Sequence, residues 1–311
     1  MSKKILIISP KYGLCNQLSS ISKGIIYAFL SNRNIIFNGF QLDYRDSNSL
    51  VDFHEIIDIK ELQKTINKYN LNITVESNRN IFGKKIYTHD DTDISHISDF
   101  IPFLFHENNI DIDILDIGNP ISSVIPMEHM KLQNLIESEI KFNLKYRLIA
   151  YNIIKQLELK NYICIHLRLE DDAINYMKIK KGYTNVDIEP INDFYKKKYI
   201  ESLENLKKMN TYNKKIYICT SLGIDENVNN NFYEYIKEHY NLIDKTKIMN
   251  INTLRERQCR EIYAVIDFII AKESDYFIGI DWSSFSLQIY NSHVQNGKCA
   301  ELINMWSEIN S

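Results

Sequence analysis

From Tyr162 onward, short apolar runs alternate with stretches whose apolar residues recur at helical spacing. That alternation restricts the chain to βαβ crossovers and a parallel sheet. Tyr162 to Leu167, Lys215 to Cys219 and Tyr276 to Ile280 read as strands. After the first of these comes a polar loop to Pro190, then a helix with Tyr195, Tyr199, Leu203 and Leu206 on one face. Val228, Phe232, Ile236 and Tyr240 mark a second helix, Arg255 to Lys272 a third, and a final helix follows Asp281-Trp-Ser-Ser-Phe-Ser286.

The first half repeats the theme less regularly. Lys4 to Ser9 reads as a strand, and Leu18, Ile21, Ile25, Ala28 and Phe29 form the stripe of a helix over Gln17 to Leu30. Asn34 to Phe37 is a second strand, Asp43 to Asp58 a polar, acidic connection, and Ile59 to Tyr69 a helix. Short strand-like runs follow at Ile73 to Val75, Ile81 to Tyr87 and Ile112 to Ile117. Leu132 to Ile140 is helical, and Phe142, Tyr146, Ile149, Ile153 and Leu157 form the stripe of a longer helix beyond it. The expected fold class is therefore α/β, with two domains, 1–140 and 141–311, facing across a cleft.

Composition narrows the function classes. At 311 residues, with 44% hydrophobic and 25% charged residues, the chain resembles ordinary globular proteins rather than disordered or membrane ones. A net charge of −3 offers no broad basic field, so nucleic acid is not an expected partner. The N-terminal apolar run is too short for a signal peptide, and no run approaches the ~20 residues that span a bilayer, so membrane insertion is not expected. Five widely spaced cysteines, at 15, 164, 219, 259 and 299, suit a reducing compartment, and the expected location is cytoplasmic.

The chemistry concentrates at the ends of the strands. In His166-Leu-Arg168-Leu-Glu-Asp-Asp172 an imidazole and a guanidinium project to the same side of an extended chain, where open α/β sheets place their ligands. Arginine's planar fork matches phosphate oxygens bidentately, which points to a phosphorylated ligand. The competing reading pairs Arg168 with Glu170, Asp171 or Asp172 to fix the loop. Gly13-Leu-Cys-Asn16-Gln17 sets a glycine and two amides at a helix start, where unpaired N–H groups favour an anionic or polar ligand, unless Asn16 simply caps the helix. Ser283 and Ser284 open another helix and offer a phosphate cradle as well as a cap. Asp267 interrupts the apolar run Ala264 to Ala271 and needs a partner. A guanine base and an internal Lys or Arg both qualify. Metal motifs are lacking, and Asp91-Thr-Asp93 and Asp111-Ile-Asp113 read as solvated loops.

Taken in order, these stretches resemble the GDP-fucose protein O-fucosyltransferases and their α1,2- and α1,6-fucosyltransferase relatives. Gly13-Leu-Cys-Asn16-Gln17 resembles their Gly-x-x-Asn-Gln turn, and His166 to Asp172 their His-x-Arg-x-x-x-Asp motif. Asp267, Phe277-Ile-Gly279 and Ser283-Ser284-Phe285 resemble their C-terminal block. The resemblance implies a GT-B fold of two Rossmann-like domains, with the nucleotide sugar in the C-terminal one. It implies metal-independent, inverting transfer of fucose from GDP-fucose to a hydroxyl of a glycan or protein acceptor. Arg168 would then bind the β-phosphate, His166 the nucleotide, Asp267 the guanine, and Ser283, Ser284 and Phe285 the diphosphate. Asn16 would sit near the anomeric carbon, with Gly13 in the same turn. GDP-fucose would be the donor substrate, with no cofactor. The competing functions are a GT-B transferase of another nucleotide sugar and a non-catalytic nucleotide-sugar or glycan-binding protein.

Overall fold

The computed structural model describes residues 3–43, 46, 49–76, 86–88, 112–180, 188–208, 214–222, 229–250 and 260–304. Two compact units emerge, one of Met1–Arg147 with Arg257–Val265, the other of Leu148–Glu256 with Ile266–Ser311.

In the first unit the strands are β1 (Ile5–Ile8), β2 (Asn34–Phe37), the antiparallel pair β3 (Phe40–Gln41) and β4 (Leu50–Val51), β5 (Ile86–Thr88) and β6 (Ile114–Asp116). Four of them form a wholly parallel sheet in the order β2-β1-β6-β5. Every side chain of β1 is buried. A strand enclosed on both faces reads as a continuous apolar run rather than an alternating one. The helices are α1 (Leu14–Leu30), α2 (Phe53–Ile56), α3 (Ile59–Lys68), α4 (Met127–Glu139) and the first residues of α5 (Leu144–Gln156), which from Leu148 onward belongs to the second unit.

The second unit holds β7 (Ile163–His166), β8 (Ile216–Cys219), β9 (Leu242–Ile243), β10 (Tyr276–Ile280) and β11 (Cys299–Ile303), parallel throughout, in the order β11-β10-β7-β8-β9. Its helices are α6 (Asp171–Lys180), α7 (Ile188–Lys208), α8 (Asn230–His239), the part of α9 (Arg260–Glu273) from Ile266 onward, and α10 (Ser284–Gln295); residues 260–265 of α9 belong to the first unit. Tyr195, Tyr199, Leu203 and Leu206 of α7 are all buried against Ile163, Ile165, Ile216 and Ile218, so the stripe read from sequence is the core face.

Several local expectations change. The polar segment before Pro190 contains α6, whose apolar Ala173 and Ile174 are adjacent rather than helically spaced. The acidic connection contains β4 and α2. Val75 makes only an isolated bridge to Ile35. Asp91, Asp93, Asp111, most of Ile81 to Tyr87 and the first residues of the Arg255 to Lys272 helix lie outside the described residues. Both β9, of two residues, and β11, half of it facing outward, carry too little apolar signal to be read as strands.

Each parallel sheet reverses its winding once. The first turns at β1, between β2 and β6; the second turns between β7 and β10. Such switch points open crevices beyond the carboxyl ends of the strands. The motifs at Gly13 to Gln17, His166 to Asp172 and Ser283 to Phe285 lie at those strand ends, while Asp267 lies within α9.

Candidate functional site

Arg168 and His166 leave β7 at the second switch point. The Tyr199 hydroxyl fixes the backbone there, accepting from the Arg168 N–H at 3.0 Å and donating to the His166 carbonyl at 3.0 Å. Arg168 Nη1 donates to Glu170 Oε2 at 3.1 Å, with 24% of the Arg168 side chain exposed. The loop-fixing ion pair considered from sequence is therefore present, and it leaves the arginine accessible. Glu170 is held in turn by Ser221, whose N–H and hydroxyl donate to Oε1 at 3.2 and 2.8 Å.

His166 is only 7% exposed. Its Nδ1 lies 2.8 Å from Ser286 Oγ in the first turn of α10, and Phe285 lies against its ring at a centroid separation of 4.6 Å. Burial pushes the imidazole pKa down to about 3, against an opposing pull from Glu170. The ring is neutral at physiological pH, so any contact with a nucleotide is a neutral one. Ser286 Oγ also accepts from the Ile280 N–H at 3.0 Å, tying β10 to the helix. Gly279 makes that approach possible: a Cβ there would lie 2.6 Å from Ser286 Cβ.

Ser283 is the N-cap of α10, yet its side chain makes no capping bond. The first-turn N–H groups thus keep the anion-binding character of a helix start, with the Ser283 hydroxyl in the same turn and Ser284 exposed after it. Phe285 also packs edge-on to Phe268, at 5.6 Å.

Asp267 is buried with both oxygens engaged. Oδ2 accepts from Lys245 Nζ at 2.6 Å and Oδ1 from the Tyr217 hydroxyl at 2.8 Å. Lys245 also donates to the Thr220 carbonyl at 2.9 Å. Burial presses the Lys245 pKa down, but the charge and hydrogen bond of Asp267 outweigh it and hold the amine above the ordinary lysine value. An internal lysine is thus present as a partner for Asp267.

At the first switch point, α1 begins at Leu14 with Gly13 as its N-cap, so Asn16 lies inside the first turn and does not cap. The Leu14 N–H donates to Glu261 Oε2 at 2.7 Å, so a carboxylate from the start of α9 occupies the helix N-terminus. Gly13 has ordinary φ of −62° and nothing within 4 Å of where a Cβ would stand. The unusual backbone belongs to its neighbour Tyr12, at φ 76°. Two glutamines hold it: Gln41 Oε1 accepts from the Tyr12 N–H and Gln17 Nε2 donates to the Tyr12 carbonyl, both at 2.8 Å. Gln17 and Gln41 also bond to each other's backbone or side chain, so Gln17 builds the loop from inside. The half-buried Asn16 accepts at its backbone carbonyl from the Ser20 hydroxyl, which also donates to Asn119 Oδ1.

Among the described residues no three His, Cys, Asp or Glu side chains gather to hold a metal, and no helix is long and apolar enough to cross a membrane. The residues not singled out from sequence for the site are Tyr199, read there only as a core position, and Ser221, Tyr217, Lys245 and Glu261. Each acts through a partner far along the chain and carries no local motif.

The sequence matches the GDP-fucose protein O-fucosyltransferase family over residues 6–294. No curated protein matches it by sequence. The fold is similar to that of POFUT1 in complex with GDP-fucose, with a TM-score of 0.61 at 11% identity, covering 97% of this chain and 98% of that one. It is also similar to fucosyltransferase NodZ from Bradyrhizobium, with a TM-score of 0.56 at 13% identity, over 93% and 92% of the two chains. A NodZ alpha-1,6-fucosyltransferase soaked with GDP-fucose gives 0.55 at 13% identity, over 93% of this chain and 92% of that chain. These likenesses show the α/β GT-B fold.

Proposed function

We propose, from the premise that this chain belongs to the GDP-fucose protein O-fucosyltransferase family and is a glycosyltransferase, that it moves fucose from GDP-fucose to a hydroxyl of a glycan or protein acceptor, with inversion and without a metal. The observation that carries the reading is the second switch point, where Arg168 leaves β7 and the uncapped start of α10 follows β10, the next strand in the sheet.

The chemistry suits that pairing. When the bond between fucose C1 and the diphosphate oxygen breaks, its electrons pass to the diphosphate. Arg168 and the first-turn N–H groups of α10, with Ser283 and Ser284, stabilise that charge more in the transition state than in the ground state. Acceptor oxygen bonds to C1 from the opposite face, which inverts the centre, and its proton leaves to a base. Phe285 and the neutral His166 support the diphosphate turn from behind. The family resemblance assigns Asn16, with Gly13 in the same turn, to positioning the reacting groups.

Calorimetric titration with GDP in the presence of EDTA tests the donor site. Wild-type protein should bind, Arg168→Ala should bind more weakly, and the chelator should change neither. Equal GDP affinity in a folded Arg168→Ala protein would defeat the phosphate role.

One observation favours a second reading, a transferase of the same fold that uses another nucleotide sugar. Asp267 is 5% exposed and both its oxygens already accept from Lys245 or Tyr217, which leaves a guanine little access to that carboxylate. If Asp267 reads guanine, GDP binds more tightly than inosine diphosphate, which lacks the 2-amino donor. Equal affinity for the two, or tighter binding of UDP, favours the second reading.

A further inference from the structure

We propose that Glu170 is a positioning residue for the transfer reaction, a buried carboxylate clamped by Ser221 that holds the Arg168 guanidinium in place at the second switch point. The inference rests on the reading in which Arg168 meets the donor diphosphate.

Division of labour between the two carboxylate oxygens is the central observation. Oε1 takes both donors of Ser221, which follows β8, and Oε2 takes Nη1 of Arg168, which follows the neighbouring strand β7. The Glu170 side chain is 8% exposed, against 24% for Arg168. A carboxylate enclosed to that degree needs its charge matched, and the guanidinium matches it. The anchored partner is thus the acid, and the reachable one is the guanidinium fork. Tyr199 fixes the Arg168 backbone independently, through its N–H and the His166 carbonyl. Main chain and side chain of Arg168 are therefore both held before any ligand arrives.

Preorganisation of this kind matters for arginine, whose flexible side chain otherwise loses rotamer freedom when it is immobilised. A donor fixed in advance also needs no reorganisation as charge develops on the leaving group. The same geometry argues against Glu170 as the base that deprotonates the acceptor. A base must present an oxygen to the acceptor hydroxyl and change its protonation, whereas both Glu170 oxygens accept from anchored donors.

The test is a double-mutant cycle on GDP release from GDP-fucose, with thermal unfolding as the check on folding. Glu170→Gln keeps the size and loses the charge, and should lower kcat about 10- to 100-fold while the donor KM moves less than about threefold. Combined with Arg168→Ala it should cost nothing more, the double variant staying within about threefold of Arg168→Ala alone, because the two residues act as one unit. Ser221→Ala keeps both charges and loosens only the clamp; kcat should fall about threefold to tenfold with little change in the unfolding midpoint. Multiplicative losses in the double variant would show that Glu170 acts independently of Arg168, as a base does, and would overturn the proposal. Wild-type kcat in Glu170→Gln or in Ser221→Ala would overturn it as well. Undiminished turnover in Arg168→Ala, or no GDP release by wild type, would instead bring down the donor reading beneath it.

Discussion

The two units carry the same device and use it differently. In each, a helix begins beyond the strand at which the sheet reverses its winding, and its N-terminus offers unpaired N–H groups to an anion. At the first, the chain supplies the anion itself: Glu261 Oε2 takes the Leu14 N–H. At the second, the N-cap Ser283 makes no side-chain bond, and Arg168 adds positive charge at the end of the adjacent strand. A helix start already met by an internal carboxylate repels a diphosphate, so two helix starts of the same kind differ in charge, and the proposed diphosphate site is the second. Charge, not fold, separates them.

Lys245→Met should give the largest effect on that comparison. It strands Asp267 as an unpaired buried charge, and stability should fall by about 3–5 kcal/mol in denaturant unfolding. A loss below about 1 kcal/mol would mean that Asp267 finds another partner and that the second unit's interior is less committed than the hydrogen bonds indicate.

The glycines provide the next contrast. Gly279→Ala drives a Cβ into Ser286 and should cost about 1–3 kcal/mol and weaken GDP binding, since the α10 N-terminus must shift. Gly13→Ala meets open space at an ordinary φ, and its stability should stay within about 0.5 kcal/mol of wild type. Equal losses at the two sites would erase the distinction between a close-packed and an open turn.

His166 predicts a pH dependence for the second unit. Its folded pKa, about 3, lies below the ordinary histidine value, so below pH 6.5 the unfolded chain binds a proton that the folded one refuses. Stability is fully present above that pH and should fall by about 1.4 kcal/mol per pH unit as the pH drops toward 3, superimposed on the carboxylates. A His166→Asn variant should lose this component between pH 6.5 and 5. If urea midpoints of the two proteins run parallel across that range, the imidazole is not buried as described.

Glu261→Gln should have a small effect. Removing the charge while keeping an acceptor for the Leu14 N–H should cost about 0.5–1 kcal/mol, the scale of a helix-terminus charge. GDP affinity should stay within about twofold, because the diphosphate is assigned to the other helix. Stronger phosphate binding at the first unit in this variant would sharpen the comparison, by showing that only the carboxylate closes that turn.

Local signals carried much of this. The enclosed strands, the α7 stripe and the pairing of hydroxyls with a helix start at Ser283 are legible because neighbours in sequence produce them. The start of α1 was legible only in part: it begins at Leu14 without a side-chain capping bond, the carboxylate that serves it coming from 247 residues away. Asp267 announced its need for a partner, while its lysine stands in a short helical turn 22 residues earlier.

The sequence by itself determined the class of fold, the strand ends where chemistry gathers and the residue types present there, because backbone periodicity and side-chain chemistry are local properties. Only the tertiary structure decided which of those residues are already satisfied. Glu261 at α1, Lys245 on Asp267 and Ser221 on Glu170 are pairings between distant segments, and a buried charge takes whichever partner the completed fold brings within hydrogen-bond reach.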